Sequence, residues 1–453
     1  MEIKGLQHVM VGDPVKGPFV LVLQDGALIT AEDRAMLQAM YSRSPASVLV
    51  HLQKLAEVGS GKFMDQYYVG YGHKSIGDCG HATVFIEGVS MLVAKAVQDS
   101  MLYDGQEVST RYLDFATQPF VNPLFLDEKN PQNQLRQFYI DSLPLLKEDL
   151  KKRYPISESE KEGVYEKAIA ARAFDILRGF LPAGAVTNLA WTTNLRQAAD
   201  RLAILRTHPL DEVRDVAYML DEALKKANPH SFYHKRYEAS ERYRNIYMNK
   251  SYYFDPSNMN NSVVLRRDNL DKDMLRACFE TINERPDKTD LPKALAEIGT
   301  LQFEFTLDFG SFRDIARQRA VIQRMPLLTA KHGFHEWYRN ELPENIQVKT
   351  YSLLLKIRSW WRSKNLDGVD TALLQYYLPM GYRVPCRVTG DLPALVYLVE
   401  LRSSSTVHPT LREVAQDMAN IIEKFGVPLY IDRTDSGRFD VKRGVQDIVA
   451  KST

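Results

Sequence analysis

The stretch Leu181-Pro-Ala-Gly-Ala-Val-Thr-Asn188 is echoed later in the chain by Leu378-Pro-Met-Gly-Tyr-Arg-Val-Pro385. Each stretch is followed by an apolar-periodic segment that ends in Leu-Arg, at Leu205-Arg206 and at Leu401-Arg402, and then by a His-Pro pair. The shared order and the nearly equal spacing indicate an internal repeat, so we expect one fold to occur twice in this chain.

The segments around the repeated stretches predict the elements of each copy. A helical pattern follows each His-Pro pair, over residues 211–226 and 410–424, with proline where a helix start tolerates it. Upstream, residues 82–87 and 301–307 are rich in β-branched and aromatic side chains, and each leads into a helical pattern. Each half is therefore predicted to be an α+β unit, a small mostly antiparallel sheet with several helices.

The boundary between the copies is expected in a segment rich in tyrosine, asparagine and arginine, residues 231–262, whose hydrophobic periodicity is weak. We predict one domain over 1–235, a connector over 236–262 and a second domain over 263–453. A chain of 453 residues is long enough for two such cores. Interleaved tyrosines and basic residues can stack on a nucleic-acid strand, but a solvated connector is the preferred interpretation.

Composition excludes several classes of partner. The 58 basic and 57 acidic residues give no overall attraction to nucleic acid or to an anionic membrane, so neither partner is expected. The N-terminal residues 1–30 have apolar runs broken by Asp, Lys and Pro, which predicts a strand pair rather than a signal peptide or membrane span.

The cysteines Cys79, Cys278 and Cys386 are too scattered for a disulfide framework, which favours a reducing, cytoplasmic location. No metal site is predicted, because Asp78, Cys79 and His81 fit no common zinc spacing.

Two motifs in the first half carry the chemistry of a nucleotide site, His73-Lys-Ser75 and Gln106-Glu107-Val-Ser109-Thr-Arg111-Tyr112. A serine hydroxyl and an arginine two residues apart can bind one phosphate, because arginine offers charge-assisted bidentate donors. Glu107, on the same side of an extended segment, can accept from a sugar hydroxyl or a base N–H. Spacing alone leaves an alternative open, in which Glu107 and Arg111 form an exposed ion pair and Ser109 caps a helix.

These motifs resemble the flavin-dependent thymidylate synthase family, whose signature is Arg-His-Arg followed by Glu-x-Ser-x-Arg-Tyr, with His-x-Ser/Thr upstream. The resemblance continues through Leu181-Pro182 and Trp191–Asn194 to Leu205-Arg206, and so covers nearly all of the first half. Its roles are carried over residue by residue. The resemblance implies that Ser109 and Arg111 hold the phosphate of deoxyuridylate and that Gln106 and Glu107 contact the nucleotide. It further implies that His73 and Ser75 lie against the flavin and that Arg206 lies near the uracil.

The first half departs from the family where a flavin diphosphate would need positive charge. It has Asp99-Ser100-Met101 in place of Arg-His-Arg, and Asn188 in place of the arginine after Leu-Pro. The second half has Arg313-Asp-Ile-Ala-Arg317-Gln318-Arg319 on a predicted helix, which resembles the lost motif with glutamine for histidine.

Each copy thus keeps what the other lacks. Because the family assembles its sites between subunits of a homotetramer, the resemblance implies a composite site between the copies and a homodimer of the fused chain. Arg317, Gln318 and Arg319 would then contact FAD. Arg402 would be the counterpart of Arg206, and Arg383 or Arg387 would be a further substrate ligand.

The reaction that the resemblance implies is a reductive methylation. NADPH reduces FAD, and a one-carbon unit passes from methylene-tetrahydrofolate to carbon 5 of a uracil nucleotide. No protein nucleophile is required, and Arg206 and Arg402 would stabilise charge on the uracil.

Two alternative functions stay open: a nucleotide-binding homologue without catalysis, and a related pyrimidine hydroxymethylase or base-modifying enzyme. The cysteine-dependent thymidylate synthases also place a cysteine after proline, as at Cys386, but their other signatures are absent, so Cys386 is predicted to be a small buried residue.

Overall fold

The computed structural model describes residues 8–24, 29–41, 44, 46–110, 114–158, 161–256, 258–259 and 261–434. These residues fall into two units, one within Met1–Val108 and Val186–Tyr252, the other within Ser109–Ala185 and Tyr253–Thr453. Each unit holds one antiparallel sheet together with helices, which confirms the predicted α+β class.

The elements are numbered along the chain. The strands are β1 (His8–Gly12), β2 (Phe19–Leu23), β3 (His81–Ser90), β4 (Asp104–Glu107), β5 (Val186–Asn194), β6 (Val264–Asp268), β7 (Thr300–Asp308), β8 (Ile322–Gln323) and β9 (Arg383–Asp391). The helices are α1 (Ala31–Tyr41), α2 (Val48–Val58), α3 (Gly61–Phe63), α4 (Met91–Gln98), α5 (Pro131–Arg153), α6 (Glu162–Leu177), α7 (Leu195–Leu205), α8 (Asp211–Ala227), α9 (Glu238–Ser251), α10 (Lys272–Ala277), α11 (Phe279–Asn283), α12 (Phe309–Ile315), α13 (Glu336–Asn340), α14 (Glu344–Leu366), α15 (Thr371–Leu374), α16 (Leu392–Arg402) and α17 (Pro409–Ile422). A π-helix at Met64–Gly70 follows α3 directly. None of these helices is both long enough and apolar enough to cross a bilayer.

The sheet of the first unit has the order β1-β2-β3-β5-β4, with every neighbouring pair antiparallel. The predicted N-terminal strand pair is confirmed by the register His8↔Leu23 to Gly12↔Phe19. In β3 every second side chain from Ala82 to Ile86 is buried, because successive side chains of a strand point to opposite faces. One face of this sheet therefore lies on the core.

The sheet of the second unit has the order β6-β7-β9-β8, which repeats the order β2-β3-β5-β4. Strand β7 pairs with β9 along its whole length, as β3 pairs with β5. Helix α12 follows β7 as α4 follows β3, and α16 and α17 follow β9 as α7 and α8 follow β5. The repeat found in the sequence thus has a counterpart in both sheets.

The two Leu-Pro stretches of the repeat pair with each other inside the second unit. The Ala183 N–H donates to the Leu378 carbonyl at 2.9 Å, and the Met380 N–H donates to the Leu181 carbonyl at 2.8 Å. The two hydrogen bonds are equivalent under the repeat, because Ala183 corresponds to Met380 and Leu181 to Leu378, and Pro182 lies opposite Pro379. Such reciprocal pairing is the signature of a local two-fold axis.

Two predictions about the domain organisation can be compared with the structure. Residues 109–185, which the repeat assigns to the first copy, group with the unit that contains the second sheet. The domain bounds 1–235 and 263–453 therefore stay a prediction about the extent of each copy. The segment expected to be a solvated connector contains helix α9.

Candidate functional site

A cavity of about 420 Å³ lies within the first unit. Its lining comes from residues within the segments 68–74 and 232–244, from one face of α7 and from Asp221 of α8. This volume falls within the range of small-molecule sites, roughly 300–1,000 Å³. The cavity is therefore large enough for a ligand of mononucleotide size.

Helix α7 supplies the polar wall of the cavity. Arg196, Asp200 and Arg206 recur at intervals of four and six residues and lie on one side of the helix. Ala198 and Leu205 are fully or almost fully buried and hold the helix against the core. Because the apolar positions fix the rotation of the helix, Arg196, Asp200 and Arg206 face the cavity.

The charge of the lining is predominantly positive. Its basic side chains are Lys74, Arg196, Arg206, Lys235, Arg236 and Arg244, and its acidic side chains are Asp200, Asp221 and Glu241. A concave surface that carries an excess of one sign of charge concentrates counter-ions. The cavity is thus suited to an anionic ligand, although the chain as a whole is nearly neutral.

Arg206 is the most buried charged side chain of the cavity lining, with 10% of its side chain exposed. Its guanidinium lies 3.4 Å from a carboxylate oxygen of Glu241 and 3.9 Å from one of Asp221. Asp221 also accepts from Lys225 at 2.5 Å and from Arg236 at 3.2 Å. An anion that binds Arg206 would therefore compete mainly with Glu241.

Aromatic rings form another part of the wall. Tyr68 is buried and packs edge-on against His234, with ring centroids 4.6 Å apart. Burial raises the pKa of Tyr68 and lowers the pKa of His234, so both groups are neutral at pH 7. Tyr71 is 76% exposed and stacks on His73 with centroids 4.7 Å apart. These surfaces can accept a planar ring.

His73 and Ser75, the predicted flavin contacts, are not among the lining residues, but each is adjacent in sequence to Lys74, which is. Gly72 and Lys74, on either side of His73, belong to the lining. The His73 N–H donates to the carbonyl of Tyr67 at 3.0 Å, which ties the loop to the π-helix. The Ser75 side chain is exposed.

Glu107 does not line the cavity. Its side chain is 1% exposed and lies 3.3 Å from the ammonium of Lys95, which is equally buried. The Gln98 amide donates to the same carboxylate at 2.9 Å, and Lys95 donates to the Gln98 carbonyl. The carboxylate therefore joins β4 to α4 and is buried, not exposed as the alternative interpretation had it, while Arg111, its partner in that interpretation, lies outside the described residues.

The structure describes only some of the other residues predicted to bind the nucleotide. Gln106 is exposed on β4, which is the edge strand of its sheet. Ser109 is exposed and begins the second unit. Arg111 and Tyr112 lie outside the described residues. The phosphate role of Ser109 and Arg111 stays a prediction.

The arginine motif of the second half extends beyond its helix. Helix α12 ends at Ile315, so Arg317 and Arg319 follow the helix and are exposed. Gln318 is buried between them, and its amide, oriented with the carbonyl toward Arg402, accepts from that guanidinium at 2.9 and 3.0 Å. The structure thus brings Gln318 and Arg402 together. Burial lowers the pKa of Arg402.

The two other candidate arginines of the second half, Arg383 and Arg387, are engaged in ion pairs. Arg383 is buried at the start of β9 and pairs with Glu336, and this hydrogen bond lowers the pKa of the Glu336 carboxyl. The Arg387 Nε donates to Glu304 at 2.7 Å. Both guanidinium groups are therefore occupied by carboxylates within the second unit.

The positions that correspond to the family's Arg-His-Arg motif carry different charges in the two halves of the chain. Asp99, which stands in place of the first arginine of the family motif, accepts from the Tyr252 hydroxyl at 3.0 Å. This carboxylate does not fit a diphosphate. The exposed guanidinium groups of Arg317 and Arg319 do fit one, because each presents donors and positive charge. The composite site between the copies stays a prediction.

Two further expectations concern metal and cysteine chemistry. Within the part of the chain that the structure describes, no three His, Cys, Asp or Glu side chains come together to hold a metal ion. Cys386 is 2% exposed, and burial raises the pKa of its thiol, so it is not an accessible nucleophile. The prediction of a small buried cysteine is confirmed.

Comparison with known proteins bears on these motifs. The family model described as "Thymidylate synthase complementing protein" matches residues 29–230. A UPF0159 protein of Chlamydia muridarum is 25% identical over 428 residues, covering 82% of this chain and 80% of the relative. A UPF0159 protein of Thermoplasma acidophilum is 23% identical over 482 residues, covering 89% and 96%. A third, from Chlamydia pneumoniae, is 23% identical over 417 residues, covering 80% and 77%.

The match supports a thymidylate-synthase-like function. It includes both motifs of the first half and the α7 wall of the cavity, while the similarity to the UPF0159 proteins extends over most of the chain. The resemblance to the thymidylate synthase complementing protein family is therefore confirmed, and it rests on residues 29–230.

Proposed function

We propose that this chain is an enzyme that transfers a folate-derived one-carbon unit to carbon 5 of a uracil nucleotide, dUMP. The observation that carries the proposal is the cavity of the first unit. There Arg206, the arginine that the resemblance assigns to the uracil, lies among an excess of basic groups. FAD, reduced by NADPH, would supply the reducing equivalents, and methylene-tetrahydrofolate would supply the carbon.

The residues of the chain would contribute binding, orientation and charge. The positive lining attracts the phosphate, and Arg206 offers a planar pair of donors to a uracil carbonyl on which charge develops. Tyr71 offers a ring against which a planar base can stack. Arg317 and Arg319 would hold the diphosphate of FAD, with His73 and Ser75 against its ring system.

The test is release of tritium from carbon 5 of labelled dUMP, in the presence of methylene-tetrahydrofolate, FAD and NADPH. We expect release that requires the folate, and loss of most of it in Arg206→Ala. Mass spectrometry of the product nucleotide distinguishes a methyl from a hydroxymethyl group. Absence of release from protein that binds both dUMP and FAD would overturn the catalytic proposal.

A second candidate is a nucleotide-binding homologue without catalysis. It is favoured by the carboxylate of Glu107, which is held by Lys95 and Gln98, and by Asp99 in place of arginine. This candidate predicts that dUMP binds while purified protein carries no flavin absorbance and cannot be reconstituted with FAD. A yellow, folate-dependent protein excludes it.

The proposal also includes the assembly and location that the family resemblance implies. We expect a homodimer, which sedimentation equilibrium would test by molar mass. We expect the protein in the cytoplasm, which fractionation of the producing cells would test.

A further inference from the structure

Helix α9 carries an uncovered face that the proposed function does not use. Arg242, Tyr243, Ile246, Tyr247 and Lys250 all lie on this face, which spans about 140° of the helix at 3.6 residues per turn. The exposed fractions of the side chains of Tyr243, Ile246 and Tyr247 are 71%, 50% and 50%. Arg242 and Lys250 are exposed as well.

The opposite face of α9 attaches the helix to the first unit. Met248 is its buried residue, and Glu241 and Arg244 line the cavity. The acidic residues of the helix, Glu238 and Glu241, lie off the uncovered face by the same helical geometry. Among the described residues, no carboxylate forms an ion pair with Arg242 or Lys250. The uncovered face is therefore purely aromatic, aliphatic and cationic.

The segment that leads into α9 continues this composition. Tyr233, Lys235 and Tyr237 occupy alternate positions and are exposed, the two rings at 62% each. The Lys235 ammonium lies 5.4 Å from the centre of the Tyr237 ring. Tyrosines and positive charges thus recur from Tyr233 to Lys250, in the segment before α9 and on its uncovered face.

We propose that the uncovered face of α9, with the segment before it, binds single-stranded nucleic acid. Bases would stack on Tyr243 and Tyr247, and phosphates would pair with Arg242 and Lys250. A strand is favoured over a protein helix because Ile246 is the single large aliphatic side chain on this face, so a helix would find few apolar anchors. The charges favour a polyanion.

The residues of the uncovered face of α9 lie outside the cavity lining, whereas Lys235 and Tyr237 of the preceding segment also line the cavity. The family match ends at residue 230, before the segment begins. The near-neutral charge of the chain gives no general attraction to nucleic acid, so binding must depend on this local surface. Sequence reasoning favoured a solvated connector here, because it could not show that the rings and the cations share one side of a helix.

Fluorescence anisotropy with labelled oligothymidylate and oligouridylate of about 12 nucleotides tests the proposal, since single-strand sites cover about 4–16 nucleotides. We expect Tyr243→Ala/Tyr247→Ala to weaken binding at least about tenfold. Arg242→Ala/Lys250→Ala should reduce the slope of log affinity against log salt by about 0.7 for each lost phosphate contact. Tyr218→Ala is the matched control, because Tyr218 is a 56% exposed tyrosine of α8 in the same unit.

Far-UV circular dichroism verifies that the variants stay folded, which is expected because the substituted side chains are exposed. The proposal is overturned if wild-type protein does not bind the oligonucleotides at low salt, or if both double variants bind like wild type. The proposal is also overturned if the substitutions leave oligonucleotide binding unchanged but abolish another interaction, either binding to anionic vesicles or self-association of the protein.

Discussion

Replacing Arg206 by alanine removes the best-buried cation of the cavity. Its guanidinium lies 3.4 Å from Glu241 and 3.9 Å from Asp221. The fold should survive, because Asp221 keeps Lys225 and Arg236 as partners. A hydrogen bond to a charged group contributes about 1.5–3 kcal/mol. Since about 1.4 kcal/mol is tenfold in affinity, dUMP should bind about 10- to 100-fold more weakly.

Isothermal titration calorimetry with dUMP measures this change directly. Arg206→Lys should give an intermediate affinity, because lysine keeps the charge but lacks the planar pair of donors. Arg276→Ala is the matched control, since Arg276 is an exposed arginine of α10, paired with Asp273 and outside the cavity. Wild-type affinity in a folded Arg206→Ala variant would refute the assignment of Arg206 to the ligand.

Three further predictions concern the cavity, the pH dependence and the fold. Glu241→Gln removes the carboxylate that competes for the cation, and calorimetry should show dUMP binding tightened up to about fivefold, as a weak ion pair allows. Burial lowers the pKa of His208 to about 3 in the folded chain, whereas an unfolded histidine has a pKa of about 6.5. Between these two pH values the unfolded chain therefore binds more protons than the folded chain. The free energy of unfolding should therefore fall by about 2 kcal/mol from this group between pH 7 and 5, and His208→Gln should reduce that fall in urea titrations. Gly184→Ala should lower the melting temperature, because its Cβ would lie 2.6 Å from the Tyr376 carbonyl oxygen, whereas Gly163→Ala in α6 meets nothing within 4 Å and should raise it.

Much of the fold was predictable because its signals are local. Strands β3 and β7 and helices α8 and α17 were expected from apolar periodicity and from the proline after each histidine. Each of these elements buries one side, so its sequence carries the period of its structure. The order of the strands became visible only in the coordinates, since pairing joins residues far apart in the chain.

Helix α9 was missed for a physical reason. Only Met248 of this helix is buried, so its apolar residues do not mark a core-facing side at the expected period. The structure reveals a helix whose rings point outward instead. Hydrophobic periodicity predicts helices that pack on a core. It gives no signal for a helix that is held by one buried side chain and by the ion pair of Glu241 with Arg206.

The candidate site was predictable in part. Arg206 was expected from the resemblance, and the helical spacing of Arg196 and Asp200 before it was a signal that could have marked the same wall. The partner of Glu107 was not predictable from its motif, because Lys95 reaches it through the packing of α4 beside β4. Residues 232–244 join the cavity through tertiary structure alone.

Hydrogen–deuterium exchange with and without dUMP tests the central claim most directly, because it reports where the nucleotide binds. We predict that dUMP slows exchange in residues 68–74 and 232–244, which line the cavity of the first unit, and that Arg206→Ala removes this protection. Protection confined to other segments, or none at saturating dUMP, would contradict the account.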